Sequence, residues 1–276
     1  MSLVFFNGKY IEEAEVDIGI HSRAYTWGDG IFETMALVGG RVPLLHEHTA
    51  RFKKSALLLE LPLPKLWNET WLQLQLYELA TRNNLQNAQL RLQLSRTEKK
   101  EEANLSITAK ATGGKPFEWQ AKSATVLYEP LCLANSFSFI KSTSRSKYVV
   151  AENFAKQKKM DECVLLNDKQ ELCESIFANI FVVKANQIFT PSISSGCVAG
   201  TARHFILKHF SSSFSISEKV ISIAELKDAD ELFLSNAIRG IQSVAVLDNT
   251  IYSTNIGKQL ASQLQQKLVT VYNSAL

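Results

Sequence analysis

The chain has 276 residues, 46% hydrophobic and 21% charged, and 30 Lys+Arg against 27 Asp+Glu leave a net charge of +3. That balance excludes an intrinsically disordered chain, and the length suits one large or two medium domains. The basic residues are dispersed, apart from a cluster at 156–159 that reads as a solvated helix face, so no nucleic-acid partner is expected.

No stretch approaches the roughly 18 unbroken apolar residues of a membrane span, and the first residues lack the basic-then-apolar pattern of a secretory signal. The expectation is a cytoplasmic protein with no membrane partner. Cys132, Cys163, Cys173 and Cys197 have no metal-type spacing and mostly sit in apolar runs, which predicts free, buried thiols.

In chain order, Leu3–Phe6 and Lys9–Ile11 flank Asn7-Gly8, a hairpin signal. Residues 17–24 read as irregular. The glycine-flanked Tyr25-Thr-Trp-Gly-Asp-Gly30 leads into a strand over 31–38, and Arg41–Leu45 reads as a short strand. A helix is predicted over 46–59, with Ala50, Phe52 and Leu57–Leu59 as its apolar positions and Pro62 and Pro64 beyond its end. His46 and His48 lack the four-residue spacing of helical metal ligands, so no metal site is expected. A second helix over 64–81, rich in Trp and Leu, should be buried over much of its circumference. Gln89–Ser95 alternates as a strand, 96–116 reads as a charged, Gly-containing stretch with 97–102 as a solvated excursion, and the interdomain region is expected near 115–128.

The second half offers a strand over 124–128, a helix over 145–159, a strand over 161–167 and two joined strand segments over 171–184. A short strand over 187–190 follows, then a helix over 201–209, a serine-rich loop over 212–217 and strands on either side of 236–240. A final helix carries Ile256, Leu260, Leu264, Leu268 and Val271 on one stripe. The expected division is 1–117, a linker over 118–127, and 128–276.

Ser136–Lys141 alternates apolar residues and ends in a lysine. Read as a strand, it places Phe137, Phe139 and Lys141 on one face. An apolar wall disfavours the ammonium form, the state in which an amine is not nucleophilic.

Arg51 after His46-Glu-His48, Lys141 in Phe-Ile-Lys-Ser, Glu174 five residues before Asn179, and the turn Gly200-Thr-Ala-Arg203 together resemble the fold-type-IV pyridoxal-phosphate enzymes. These are the branched-chain and D-amino-acid aminotransferases and aminodeoxychorismate lyase, and the similarity covers nearly the whole chain. The resemblance implies a mixed α/β (α+β) fold of two domains with pyridoxal 5'-phosphate at their junction, and a homodimer. It implies that Lys141 forms the cofactor Schiff base and shuttles a proton, with Lys147 the nearest rival. Glu174 matches the acid at the pyridine nitrogen, and Asn179 either braces Glu174, meets the cofactor hydroxyl or hydrogen-bonds a nearby turn.

By the same resemblance Arg51 is a phosphate-binding arginine, whose planar fork suits a phosphate monoester. Thr201 and Ala202 lie in one phosphate-facing turn, at a helix N-terminus, and Ala237 and Ile238 lie in a second. Tyr25, Phe32 and Glu33 fall on the substrate side. The implied activity is transamination between an amino acid and a 2-oxo acid. The alternative is the lyase reaction on aminodeoxychorismate, releasing pyruvate and an aromatic amine, and a third reading is an inactive binding homologue. Glu33 matches the aminotransferase pattern, whereas Asn236-Ala237 is similar to the lyase loop. No Arg-x-His pair follows Arg96, a departure from the D-amino-acid enzymes.

Overall fold

A computed structural model describes residues 2–112 and 116–273. The chain divides into two compact units. The first is 1–116 with 140–145, and the second is 117–139 with 146–276.

The first unit contains β1 (Leu3–Phe6), β2 (Lys9–Glu12), α1 (Arg23–Trp27), β3 (Gly30–Leu37), α2 (Leu45–Leu58), α3 (Glu69–Arg82), β4 (Ala88–Arg96) and β5 (Ala103–Ala111). Its five strands form an antiparallel sheet in the order β2-β1-β5-β4-β3. The β1–β2 hairpin turns at Asn7 and Gly8, both at positive φ, as the sequence predicts. The central strand β5 falls inside the stretch read as charged and Gly-containing. Only Leu105 and Ile107 turn fully inward from it, too weak an alternation to stand out beside Thr97–Glu102. Gly113–Lys115 of that stretch lie outside the described residues.

The strand expected at 41–45 does not form. Only Arg41 bridges, to Val38, because Pro43 has no N–H and Leu44 turns to φ 61° as α2 begins. Helix α2 buries Leu45, His48, Phe52 and Ala56, while Leu57 and Leu58 face outward. Helix α3 starts five residues later than expected, where the Asn68 side chain accepts from the Trp71 N–H. It buries only the Leu72, Leu76 and Leu79 face and leaves Leu74 and Tyr77 exposed, so it is less enclosed than its composition implied.

The second unit contains β6 (Ala121–Cys132), α4 (Ser146–Gln157), β7 (Glu162–Asn167), β8 (Leu172–Ser175), β9 (Asn179–Lys184), β10 (Gln187–Pro191), α5 (Thr201–Phe210), β11 (Ser215–Lys219), α6 (Ile223–Lys227), β12 (Glu231–Asn236), β13 (Gly240–Leu247), β14 (Thr250–Ile251) and α7 (Asn255–Asn273). A mixed sheet runs β11-β10-β9-β12-β13-β6-β7-β8, with β14 beside β13. The β6–β7, β6–β13 and β10–β11 pairs are parallel. Strand β11 replaces part of the serine-rich loop; its one buried apolar residue, Ile216, left little signal.

Helix α4 packs Tyr148, Ala151 and Ala155 onto Cys132, Cys163, Leu165 and Cys173. Helix α7 buries Leu260, Leu264 and Leu268 on the predicted stripe, and the side chain of Val271 lies outside the described residues. Its first turn is held by buried Glu231, whose carboxylate accepts from the N–H groups of Asn255, Ile256 and Gly257.

The sharpest difference is at Ser136–Lys141, which is a series of turns. The Asn135 side-chain oxygen accepts from the Phe137 N–H. The Ser138 hydroxyl accepts from the Asn135 N–H and donates to the Leu133 carbonyl. Such local bonds satisfy backbone groups that a strand would offer to a neighbour, so period-two alternation does not hold here and Phe137 is exposed.

Candidate active site

Within the first unit, Lys141 follows those turns and precedes Ser142, which bridges to Ile31 on β3. The Phe32 N–H donates to the Lys141 carbonyl at 3.0 Å. This backbone link, rather than a strand, fixes the lysine, whose Nζ lies 4.8 Å from the centre of the Phe32 ring. The guanidinium groups of Arg91 and Arg145 lie 3.8 and 5.6 Å from the same centre, so three cationic side chains gather around one aromatic ring. Burial first, and then the charge of Arg145, lower the Arg91 pKa. Gly30, at the start of β3, has its own close neighbour: a Cβ there would sit 2.8 Å from the Leu94 carbonyl oxygen. Tyr25 lies on α1 and is 77% exposed, whereas Phe32 is buried.

Arg51 and Glu33 meet between α2 and β3. Arg51 Nε donates to Glu33 Oε1 at 2.8 Å, Arg51 Nη2 donates to Oε2, and His48 Nδ1 lies 2.6 Å from Oε2. Glu33 is 1% exposed, so its carboxylate is spent on these two neighbours. Burial alone would raise its pKa, but Arg51 and then His48 outweigh this and hold it at about 2. Burial also pushes His48 below the ordinary histidine range, against the pull of Glu33. From the sequence His48 stands out as a candidate metal ligand and as part of the stretch before Arg51, not as a partner of Glu33. Among the described residues no group of three or more His, Cys, Asp or Glu could hold a metal ion.

Within the second unit, Glu174 on β8 is almost fully buried. Its Oε1 accepts from the Tyr148 hydroxyl at 2.7 Å and from Lys147 Nζ at 3.3 Å, and its Oε2 accepts from the Val198 N–H at 3.0 Å. Burial works against the Lys147 ammonium, yet Glu174 and Cys132 prevail and raise its pKa. Sequence reasoning did not find the Tyr148 and Lys147 contacts. Both residues lie in the first turn of α4, and no periodicity singles them out.

Asn179, at the start of β9, donates through its side-chain nitrogen to the Val198 carbonyl. Val198 therefore ties both predicted residues, Glu174 and Asn179, to the turn that enters α5. Gly200 is the N-cap of α5, with no side-chain capping bond, and a Cβ on it would sit 1.8 Å from Asn179 Oδ1. Thr201 and Ala202 form the buried first turn, where helix N–H groups have no partner within the helix. Ala237 and Ile238 lie in the β12–β13 turn, shaped by Asn236 Oδ1, which accepts from the N–H groups of Ile238 and Arg239.

Residues 30–247 match the family model described as amino-transferase class IV. The chain belongs to the class IV aminotransferase family. Within that class IV family it is 26% identical to a D-alanine aminotransferase of Bacillus licheniformis, over 96% of this chain and 95% of the relative. It is 22% identical to an aminodeoxychorismate lyase of Vibrio harveyi, over 84% and 88%. The structure of a branched-chain aminotransferase from Thermoproteus uzoniensis superposes with a TM-score of 0.89, covering 98% of this class IV chain and 95% of the other at 21% identity. No helix among the described residues is long and apolar enough to cross a membrane.

Proposed function

We propose that this class IV protein is a pyridoxal-phosphate-dependent aminotransferase, exchanging an amino group between an amino acid and a 2-oxo acid, with Lys141 as the cofactor-bearing amine. The observation that carries the reading is the joint anchoring of Glu174 and Asn179 on Val198, one turn before the uncapped start of α5. The residues fit the group: a buried carboxylate suits a protonated ring nitrogen, and a glycine-entered helix start suits a phosphate.

The cofactor, when bound, supplies an electron sink for the bond broken at the substrate's α-carbon. The chain's own groups do the rest. The Glu174 carboxylate would accept a hydrogen bond from the protonated ring nitrogen. The backbone N–H groups of Thr201 and Ala202, those of the Ala237–Ile238 turn, and the Arg51 guanidinium hold the phosphate. The Lys141 amine would hold the cofactor's aldehyde carbon and, once the substrate's amino group has displaced it there, would take and return the α-proton. Asn179 shapes the entrance to α5, while Tyr25 and Phe32 take the substrate side. Two copies associate as a homodimer in this reading.

The lyase reading keeps one supporting observation: Asn236-Ala237, similar in sequence to the lyase loop, opens the β12–β13 turn, with Asn236 Oδ1 accepting from the N–H groups of Ile238 and Arg239. Two measurements test the proposal. Borohydride reduction with pyridoxal phosphate, followed by peptide mass spectrometry, is expected to mark Lys141; a mark on Lys147 alone overturns the assignment. Incubation with amino acids and 2-oxo acids is expected to give amino exchange. Aromatic amine release from aminodeoxychorismate without exchange transfers the protein to the lyase reading.

A further inference from the structure

We infer that Glu33 and His48 are positioning residues that aim the Arg51 guanidinium at the cofactor phosphate, and that Glu33 does not contact substrate. The inference rests on the cofactor reading above. Its basis is geometric. Glu33 accepts from the Nε–Nη2 edge of Arg51 with both oxygens, a bidentate arrangement that fixes the plane of the guanidinium as well as its place. That fixed plane sets the direction of the opposite, Nη1 edge.

His48 supplies the second constraint. Its Nδ1 donates to Glu33 Oε2, which locks the carboxylate against rotation. Its other nitrogen, Nε2, is buried with no hydrogen-bond partner among the described residues. A neutral imidazole with Nδ1 protonated accounts for both facts, since the bare Nε2 then hides only a lone pair. The three side chains come from two elements, one on β3 and two a turn apart on α2. A shift of α2 against β3 would therefore reach Arg51 through Glu33.

The carboxylate also carries a charge that repels a phosphate, so position and charge predict opposite effects. Glu33→Asp keeps the charge and withdraws the carboxylate by one methylene; Glu33→Gln keeps the shape and removes the charge. The readout is the ratio of equilibrium affinities for pyridoxal phosphate and pyridoxal, measured by absorbance titration of the purified full chain. Pyridoxal lacks the phosphate, so general damage to the site moves both affinities and leaves the ratio in place.

Arg51→Met is expected to collapse the ratio, and Glu33→Asp and His48→Phe to lower it by about ten-fold, the worth of one charge-assisted hydrogen bond. Glu33→Gln is expected to lower it too, because an amide cannot accept along both bonds. If Arg51→Met leaves the ratio unchanged, the phosphate role of Arg51 in the cofactor reading fails. If Arg51→Met collapses it while Glu33→Asp and His48→Phe do not lower it, the positioning inference alone fails. A ratio that rises in Glu33→Gln overturns positioning in favour of simple charge repulsion. Should His48→Phe not fold, the two Glu33 variants decide the matter.

Discussion

Lys147 Nζ lies 3.3 Å from Glu174 Oε1, and the pair is nearly enclosed on the carboxylate side, with 4% of the Glu174 side chain exposed against 28% of Lys147. A cation is thus already in contact with the carboxylate assigned to the ring nitrogen. An ammonium held by a buried carboxylate is a poor nucleophile, which supports Lys141 over Lys147 in the proposed role.

This pairing has a pH signature. The folded-state pKa of Lys147 is raised above its ordinary value of 10.5. Its contribution to stability is therefore fully present below that value and disappears as pH rises through the folded pKa. Urea unfolding of the wild type should show a decline above about pH 10.5 that Lys147→Met lacks. At pH 7 the variant should be less stable by roughly 1–3 kcal/mol, since Glu174 keeps its Tyr148 and Val198 donors. Parallel pH curves for the two proteins would show that the pair does not couple to folding.

Gly200 and Asn179 give a cleaner steric test. The Gly200 backbone, φ −63°, accepts any L-residue, so the objection to a side chain comes from the Asn179 side chain. Gly200→Ala should cost about 1–3 kcal/mol, an overpacking penalty, and weaken cofactor binding. Asn179→Ala should remove the obstruction. In the double variant the alanine at 200 should then cost little, a coupling that thermal melts of the four proteins would reveal. Additive losses would place the obstruction elsewhere.

Most elements were legible in the sequence because their signals are local. The Asn7-Gly8 turn, the alternation of β4, the apolar stripe of α7 and the glycine before α5 each depend on neighbours in the chain. What was not legible depends on partners far away. Strand β5 is held between β1 and β4 with only two inward apolar residues, and nothing within it announces two sheet neighbours. Ser136–Lys141 erred the other way, since its alternating phenylalanines imitate a strand while Asn135 and Ser138 close turns. The Glu33–His48–Arg51 and Tyr148–Lys147–Glu174 groups join residues 15–18 and 26–27 positions apart, beyond the reach of any periodicity.

On the acid side, Glu33 and His48 act in the same direction. The Glu33 carboxyl is held at about 2 against an ordinary 4.5, so its stabilisation is present above the ordinary value and is lost as pH falls toward 2. His48 is pushed below its ordinary 6.5 and resists protonation inside the fold, so stability begins to fall once pH drops below that value. Denaturant midpoints between pH 7 and 4 should decline in the wild type, with a shallower slope between 6.5 and 5 in His48→Phe. An unchanged slope in that window would assign the loss to other groups.

The four thiols should differ in reactivity. All are free and buried, so alkylation of the native protein is expected to be slow at every one. Burial raises Cys163 and Cys197 to about 12, which keeps them as thiols at neutral pH. Cys132 is shifted the other way: a hydrogen bond from Cys173 lowers its pKa against the effect of burial, and Lys147 Nζ lies 3.5 Å from its sulfur. Cys173 is raised in consequence, with the Ser195 carbonyl 2.7 Å away as a further acceptor for its proton. Timed iodoacetamide labelling with peptide mass spectrometry should therefore mark Cys132 first. Lys147→Met should slow that labelling by removing the nearby cation, while the rates at Cys163 and Cys197 stay level. Labelling that begins at Cys163 or Cys197 would show that access through local opening, rather than thiolate content, sets the order.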